Sequence, residues 1–264
     1  DAALVSEVDA QGRPFGRYVL GPRLAAGGMG EVFLGVQLGL GRFQKPLVLK
    51  LLLPHLSENE AAIRMFLDEA QLAGQMSHPN VVQVFDVGRH EDRYFIAMEL
   101  VKGVSLSALI KSLASSDREM PADLIAHVGR LLCQGLEHAH ELKSRDGAPL
   151  QVVHRDVTPQ NVLVASTGDV KLADFGIAKA KDSSTRTAPG TVKGKFEYLA
   201  PEQIEERPVD HRADLYGAAL TLFHLAALES PFRRDSEART LQAVLHEPLP
   251  SLSELRPDLP PALV

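Results

Sequence analysis

Two acids and an amide at short spacing, Asp156, Asn161 and Asp174, could hold a cation and move a proton. They surround two apolar runs, 162–164 and 170–173, joined by the turn-rich stretch 165–169, a pattern that predicts a small β-hairpin. A hairpin closes on itself, so Asn161 and Asp174 fall at the same end. Two hard oxygen ligands there suit Mg²⁺, which keeps its waters and takes one or two protein ligands plus phosphate oxygens. Asp156 lies five residues before Asn161, on the loop entering the hairpin, where a base can face a substrate hydroxyl.

Other stretches must position these groups. Tyr18-Val19-Leu20 and Glu31-Val32-Phe33-Leu34 flank Ala25-Ala26-Gly27-Gly28-Met29-Gly30, which predicts a hairpin with a glycine-rich tip. Lacking side chains, such a tip lets backbone N–H groups approach phosphates closely. The run Pro46-Leu47-Val48-Leu49-Lys50-Leu51 is an apolar strand with one lysine inside it. A lysine among leucines must snorkel or find a partner, because an unpaired buried charge is expensive. The spacing predicts a helix over 57–76, capped by Ser57 and Glu60, with Ile63, Phe66, Leu67, Ala70, Ala73 and Met76 on one face and Glu69 at its edge. Strands are predicted at 81–87 and 94–98. A core helix is predicted over 121–142, with Leu124, Val128, Leu131, Leu132, Leu136 and Ala139 on its inner face.

Composition bounds the class. The chain has 264 residues, 45% of them apolar, enough for one large domain or two small lobes. A net charge of −6 argues against a nucleic-acid binder, which would carry a basic patch. The one cysteine, Cys133, cannot form an internal disulfide and reads as a small core residue in a reducing compartment. The longest apolar run, 215–228, is too short to span a bilayer and reads as a buried helix. The proline cluster 257–261 ends the chain where a further helix is expected, so the sequence reads as a piece cut from a longer protein.

His154-Arg155-Asp156, Asn161 and Asp174-Phe175-Gly176 together resemble the catalytic loop and magnesium motif of protein kinases. The form resembles the eukaryotic-like Ser/Thr kinases of bacteria. Pro159 follows the Ser/Thr version of the loop, and Ala200-Pro201-Glu202 matches the tripeptide that closes the activation segment. The resemblance covers about residues 16–262. It implies a bilobal α+β protein-kinase fold, C-terminally truncated, with a small five-stranded β lobe carrying one helix (residues 16–98), a hinge (99–103) and a larger, mainly helical lobe (104–264).

The resemblance also implies the site. ATP and Mg²⁺ would lie in the cleft between lobes. Asp156 would accept or orient the proton of a Ser or Thr hydroxyl on a protein substrate. Asn161 and Asp174 would hold the metal, and Lys50, paired with Glu69, the α and β phosphates. Ala25, Gly27, Gly28, Gly30, Val32, Val48, Met98, Glu99, Val101 and Leu163 would surround the nucleotide, with Met98 guarding the pocket and the 99–103 backbone meeting adenine. Asp214 would anchor the catalytic loop. Arg155 would pair with a phosphate on the activation segment, placed by autophosphorylation of Thr187 or Thr191, with Ser183, Ser184 and Thr185 behind them; a transient homodimer would serve that step. The implied location is cytoplasmic, with any membrane anchor outside this chain.

This sequence departs from the family at four positions. Ala25 replaces the first loop glycine and Ala219 a glycine of the helix that carries Asp214. Thr158 stands where Ser/Thr members carry a lysine, and Lys195, after Gly194, where they carry a threonine. The last two read as an exchange, in which Lys195 returns the missing cation to Asp156 from the opposite side. The rival readings are a pseudokinase, a nucleotide-binding scaffold favoured by Ala25, Ala219 and Thr158, and a small-molecule phosphotransferase with a kinase-like fold.

Overall fold

The computed structural model describes residues 4, 8, 12–41, 43–175 and 195–264. It divides into two compact units: Asp1–Ser77 with Val82–Leu100, and His78–Val81 with Val101–Val264.

Among the described residues the first unit holds an antiparallel sheet of six strands: β1 (Arg13–Phe15), β2 (Tyr18–Ala26), β3 (Gly30–Leu38), β4 (Gln44–Leu52), β5 (Val84–His90) and β6 (Arg93–Met98). Their spatial order is β1-β2-β3-β4-β6-β5. Alternation along β4 divides its residues between two faces. Leu47, Leu49 and Leu51 enter a core with Tyr18, Leu20, Phe33 and Phe95, and Val48, Lys50 and Leu52 take the opposite face.

The expectation of five strands is corrected by β1. Three residues that include Arg13 and Pro14 carry no readable strand pattern. Tertiary contacts hold them instead: Gly16 turns at φ +59° and its N–H donates to His90 Nε2 at 3.1 Å, while Phe15 sets its ring edge-on to Phe95.

Helix α1 (Glu60–Ala73) lies on the Lys50 face, burying Phe66 and Ala70 against Leu52 and Ile96. Its cap is Asn59, which accepts the Ala62 N–H at 3.1 Å, rather than Ser57. Ser57 is consumed by the preceding 3₁₀ turn, its N–H donating to the Pro54 carbonyl at 3.1 Å, so the helix starts later than predicted.

In the second unit β7 (Gly103–Ser105), β8 (Val162–Ala165) and β9 (Val170–Leu172) form a small antiparallel sheet. The unit also holds α2 (Leu106–Ser115), α3 (Ala122–His140), α4 (Arg212–Ala227) and α5 (Glu237–His246). Helix α3 buries Ile125, Val128, Leu132, Leu136 and Ala139. Leu124, 47% exposed, and Cys133, also exposed, lie off that stripe, which corrects their placement in the core. Helix α4 is buried on most sides, although Leu215 is exposed. Two glycines bring helices against backbone. A Cβ at Gly135 would stand 2.7 Å from the Asn80 carbonyl oxygen, and one at Gly217 would stand 2.9 Å from that of Val157. No helix among the described residues is long and apolar enough to cross a membrane.

Candidate active site

The hairpin β8–β9 sets the end on which Asn161 and Asp174 sit. The Ala173 N–H donates to the Asn161 carbonyl at 2.8 Å, closing the strand ends together. Asn80, far away in sequence, fixes the same hairpin. Its amide donates to the Val170 carbonyl at 2.8 Å, and its own carbonyl accepts the Leu172 N–H at 2.9 Å. The Asn161 amide nitrogen donates to the Asp156 carbonyl at 2.8 Å and to Asp156 Oδ2 at 2.9 Å. That commitment leaves the amide oxygen as the atom a cation can use.

Asp156 is 7% exposed, and its Oδ2 also accepts from Lys195 Nζ at 2.7 Å. The loop bearing it hangs on Asp214 of α4, which is 1% exposed. Asp214 accepts the backbone N–H groups of His154 (2.8 Å) and Arg155 (2.7 Å) and lies 2.8 Å from His140 Nε2. Gln203 donates to the Arg155 carbonyl at 3.1 Å. Arg155 and Asp174 both have positive φ, +64° and +54°, so neither end of the site relaxes into ordinary extended backbone.

His154 is fully buried, and burial lowers its pKa from the usual 6.5. Its Nδ1 accepts the Asp156 N–H at 3.2 Å, so the ring proton sits on Nε2 and donates to the Ala173 carbonyl at 3.2 Å. The neutral ring thus ties the Asp156 loop to the strand leading to Asp174.

The Thr158 hydroxyl is buried at 1% exposure and has no partner among the described residues.

In the first unit Lys50 Nζ donates to Glu69 Oε1 at 2.8 Å, with side chains 13% and 12% exposed. Register pairs Val32 with Lys50 and Val48 with Met98, which puts all four on the face that carries α1. The glycine tip is tight: the Gly27 N–H donates to the Gly30 carbonyl at 2.8 Å, and a Cβ on Gly30 would meet the Leu51 carbonyl oxygen at 2.8 Å. Ala25 lies in β2 opposite Val32, and Gly28 belongs to the tip. The Glu99 N–H donates to the Gln83 carbonyl at 2.8 Å.

The remaining candidates, Val101 and Leu163, belong to the second unit with Asp156, Asn161, Asp174 and Lys195. Gly176, Gly194 and the activation-segment residues Ser183, Ser184, Thr185, Thr187 and Thr191 lie outside the described residues.

Beyond Lys195, Tyr198 and His224 form a second, part-buried node, with Tyr198 Oη 2.5 Å from His224 Nδ1. Burial, and then Arg233, lower the His224 pKa to about 4. An unfolded histidine titrates near 6.5, so below that pH the unfolded chain binds a proton that the folded one refuses. Wild type is therefore expected to lose stability relative to His224→Gln as pH falls from 6.5 to 4, by up to about 1.4 kcal/mol per pH unit. Parallel denaturant curves at pH 7, 6 and 5 check this; parallel losses in both proteins contradict it.

A sheet-rich unit holding an ion-paired lysine and a helical unit holding an anchored aspartate, with an asparagine and a second aspartate at a hairpin end, make up one recognisable class. The protein kinase domain family model matches residues 18–260, and the chain belongs to that family. It is 41% identical over 251 residues to the tyrosine-protein kinase MasK of Myxococcus xanthus, covering 95% of this chain and 39% of that protein. It is 36% identical to the serine/threonine-protein kinase PknD of Mycobacterium tuberculosis (96% and 36% covered) and 31% identical to PrkC of Bacillus subtilis (93% and 36%). The chain thus spans well under half the length of these relatives. The crystal structure of the Mycobacterium tuberculosis PknI kinase domain superposes with a TM-score of 0.67 at 29% identity, over 94% of this chain and 86% of that one.

Proposed function

We propose that this chain is an ATP-dependent serine/threonine protein kinase domain spanning residues 1–264, with a small lobe at 16–98, a hinge at 99–103 and a large lobe at 104–264. The observation that carries the reading is the nearly buried Asp156 carboxylate, oriented by Asn161 on a loop anchored to Asp214. A carboxylate so fixed can take the proton of an attacking hydroxyl. Asn161 and Asp174 fit Mg²⁺ by donor chemistry, being hard oxygen groups at one hairpin end. When bound, the ion neutralises phosphate charge. Lys50, paired with Glu69, would do the same for the α and β phosphates.

Serine/threonine specificity rests on the Pro159 form of the loop and on the relatives PknD and PrkC, set against MasK, whose name specifies tyrosine. Incubation with γ-labelled ATP, Mg²⁺ and a protein substrate, followed by phosphoamino-acid analysis, tests it. Label on serine or threonine is expected. Label on tyrosine alone overturns the specificity, and no transfer overturns the enzyme in favour of a scaffold.

Two further outcomes are expected. Lys50→Met should lower kcat by on the order of 10²-fold while the protein still folds, because the remaining Glu69 is not fully buried and water can reach it. Loss of activity with global unfolding would make Lys50 structural. Autophosphorylation should fall on Thr187 or Thr191, where the phosphate could pair with Arg155. Peptide mass spectrometry after incubation with ATP checks this, and phosphate confined to sites outside 182–191 refutes it. A transient homodimer and a cytoplasmic location belong to the same proposal.

A further inference from the structure

Asp156 Oδ2 is fully subscribed. It accepts from Asn161 Nδ2 at 2.9 Å and Lys195 Nζ at 2.7 Å, and a carboxylate oxygen has about two lone-pair sites. A substrate hydroxyl approaching that oxygen would find it occupied. The two donors differ in kind. Asn161 is 5% exposed and also tied to the Asp156 carbonyl, so it stays. The Lys195 side chain is 30% exposed, and its ammonium has three N–H donors, of which one is used among the described residues. Its four-carbon stem lets the charge move. Thr158, which lines the same shallow pocket as Asp156 and Lys195, puts no hydrogen bond on the carboxylate. Among the described residues, the cation seen beside Asp156 in this unit is Lys195.

We infer that Lys195 is a counter-ion shared between two anions, resting on Asp156 until nucleotide arrives and then moving to the transferring phosphoryl group. This rests on the proposed binding of ATP at this site. A terminal phosphate carries more negative charge than one carboxylate and offers three oxygens to the ammonium. The move opens one Oδ2 lone pair as the phosphate takes its place. The acceptor oxygen then bonds to the γ-phosphorus, its proton passes to Asp156, and the bond from phosphorus to the bridging oxygen breaks with its electron pair leaving on ADP. Lys195 stays with the phosphoryl oxygens throughout. That oxygen of the base is thus covered while the site is empty and uncovered by the substrate that needs it.

A binding cycle tests the sharing apart from turnover. The dissociation constant of the β,γ-imido analogue of ATP with Mg²⁺ is measured for wild type, Asp156→Asn, Lys195→Met and the double variant, with Lys195→Gln as a second truncation. If Asp156 competes for the ammonium, Asp156→Asn releases it and tightens binding about tenfold, within the range for groups in direct contact. The same change in the Lys195→Met background tightens binding less than about twofold. Simple repulsion between Asp156 and phosphate gives the opposite order, because without Lys195 the repulsion is unscreened. Equal or greater tightening in the Lys195→Met background, or none in either, overturns the sharing. Failure of wild type to bind the analogue overturns the nucleotide reading itself. In turnover, Lys195→Ala should lower kcat by about 10²-fold, as for a preorganised charge-stabilising donor, and unchanged kcat contradicts the role.

Discussion

Asp156→Asn is expected to lower kcat by about 10³-fold, within the range for removing a positioned proton acceptor, while leaving the fold intact. The replacement is nearly isosteric, so the 7%-exposed site is neither emptied nor overfilled. Asparagine keeps one carbonyl-type oxygen for the Asn161 amide but loses the charge that holds Lys195 and the basicity that accepts a proton. Because Lys195 is 30% exposed, water can hydrate the released ammonium, and little stability should be lost. The melting temperature should stay within a few degrees of wild type, and KM for ATP should fall rather than rise if the freed ammonium turns to phosphate. Steady-state kinetics and a thermal melt on the same preparations separate these effects. A kcat within threefold of wild type would remove Asp156 from the proton path.

Much of the site was legible because its parts lie close together in sequence. Asp156, Asn161 and Asp174 fall within nineteen residues, and the β8–β9 hairpin between them announces itself by local apolar runs and a turn. Lys50 could be matched to Glu69 because a buried cation needs a partner and the next helix offers an acid on its inner edge. Lys195 reads as a charge displaced from another position of a known pattern; its ammonium stands 2.7 Å from Asp156.

What stayed hidden depends on contacts distant in sequence. Strand β1 exists because Phe15 and Gly16 meet Phe95 and His90. The cap of α1 moved from Ser57 to Asn59 because a 3₁₀ turn intervenes. Cys133 and Leu124 looked internal because an apolar residue on an amphipathic helix fits either flank of the stripe until the neighbours are placed. The support that Asn80, His140 and Gln203 give the hairpin and loop leaves no trace in local pattern, since each partner lies 48 or more residues away.

Asp214→Ala should destabilise the second unit by about 3–5 kcal/mol, the range for removing one member of a buried charged network. Asp214 is 1% exposed and accepts from two backbone N–H groups, those of His154 and Arg155, with His140 at the same carboxylate. Alanine leaves these donors without an acceptor in a place where water has little access, and a buried unsatisfied donor costs about 1–3 kcal/mol. The loss should appear as a melting temperature lower by about 10 °C, given about 2–4 °C per kcal/mol for a unit of this size. Asp214→Asn should cost less, because its remaining oxygen can still accept one of the two N–H groups. His140→Gln separates the imidazole contact from the backbone contacts. At temperatures where Asp214→Ala remains folded, kcat should still fall, because Arg155 sits at φ +64° and, among the described residues, these hydrogen bonds and the one from Gln203 oppose its relaxation. Full activity in a folded Asp214→Ala would show that the loop keeps its shape unaided, and a stability loss below 1 kcal/mol would show that water reaches the vacated amides. The expected pattern, loss of both, makes α4 the element on which the position of Asp156 depends.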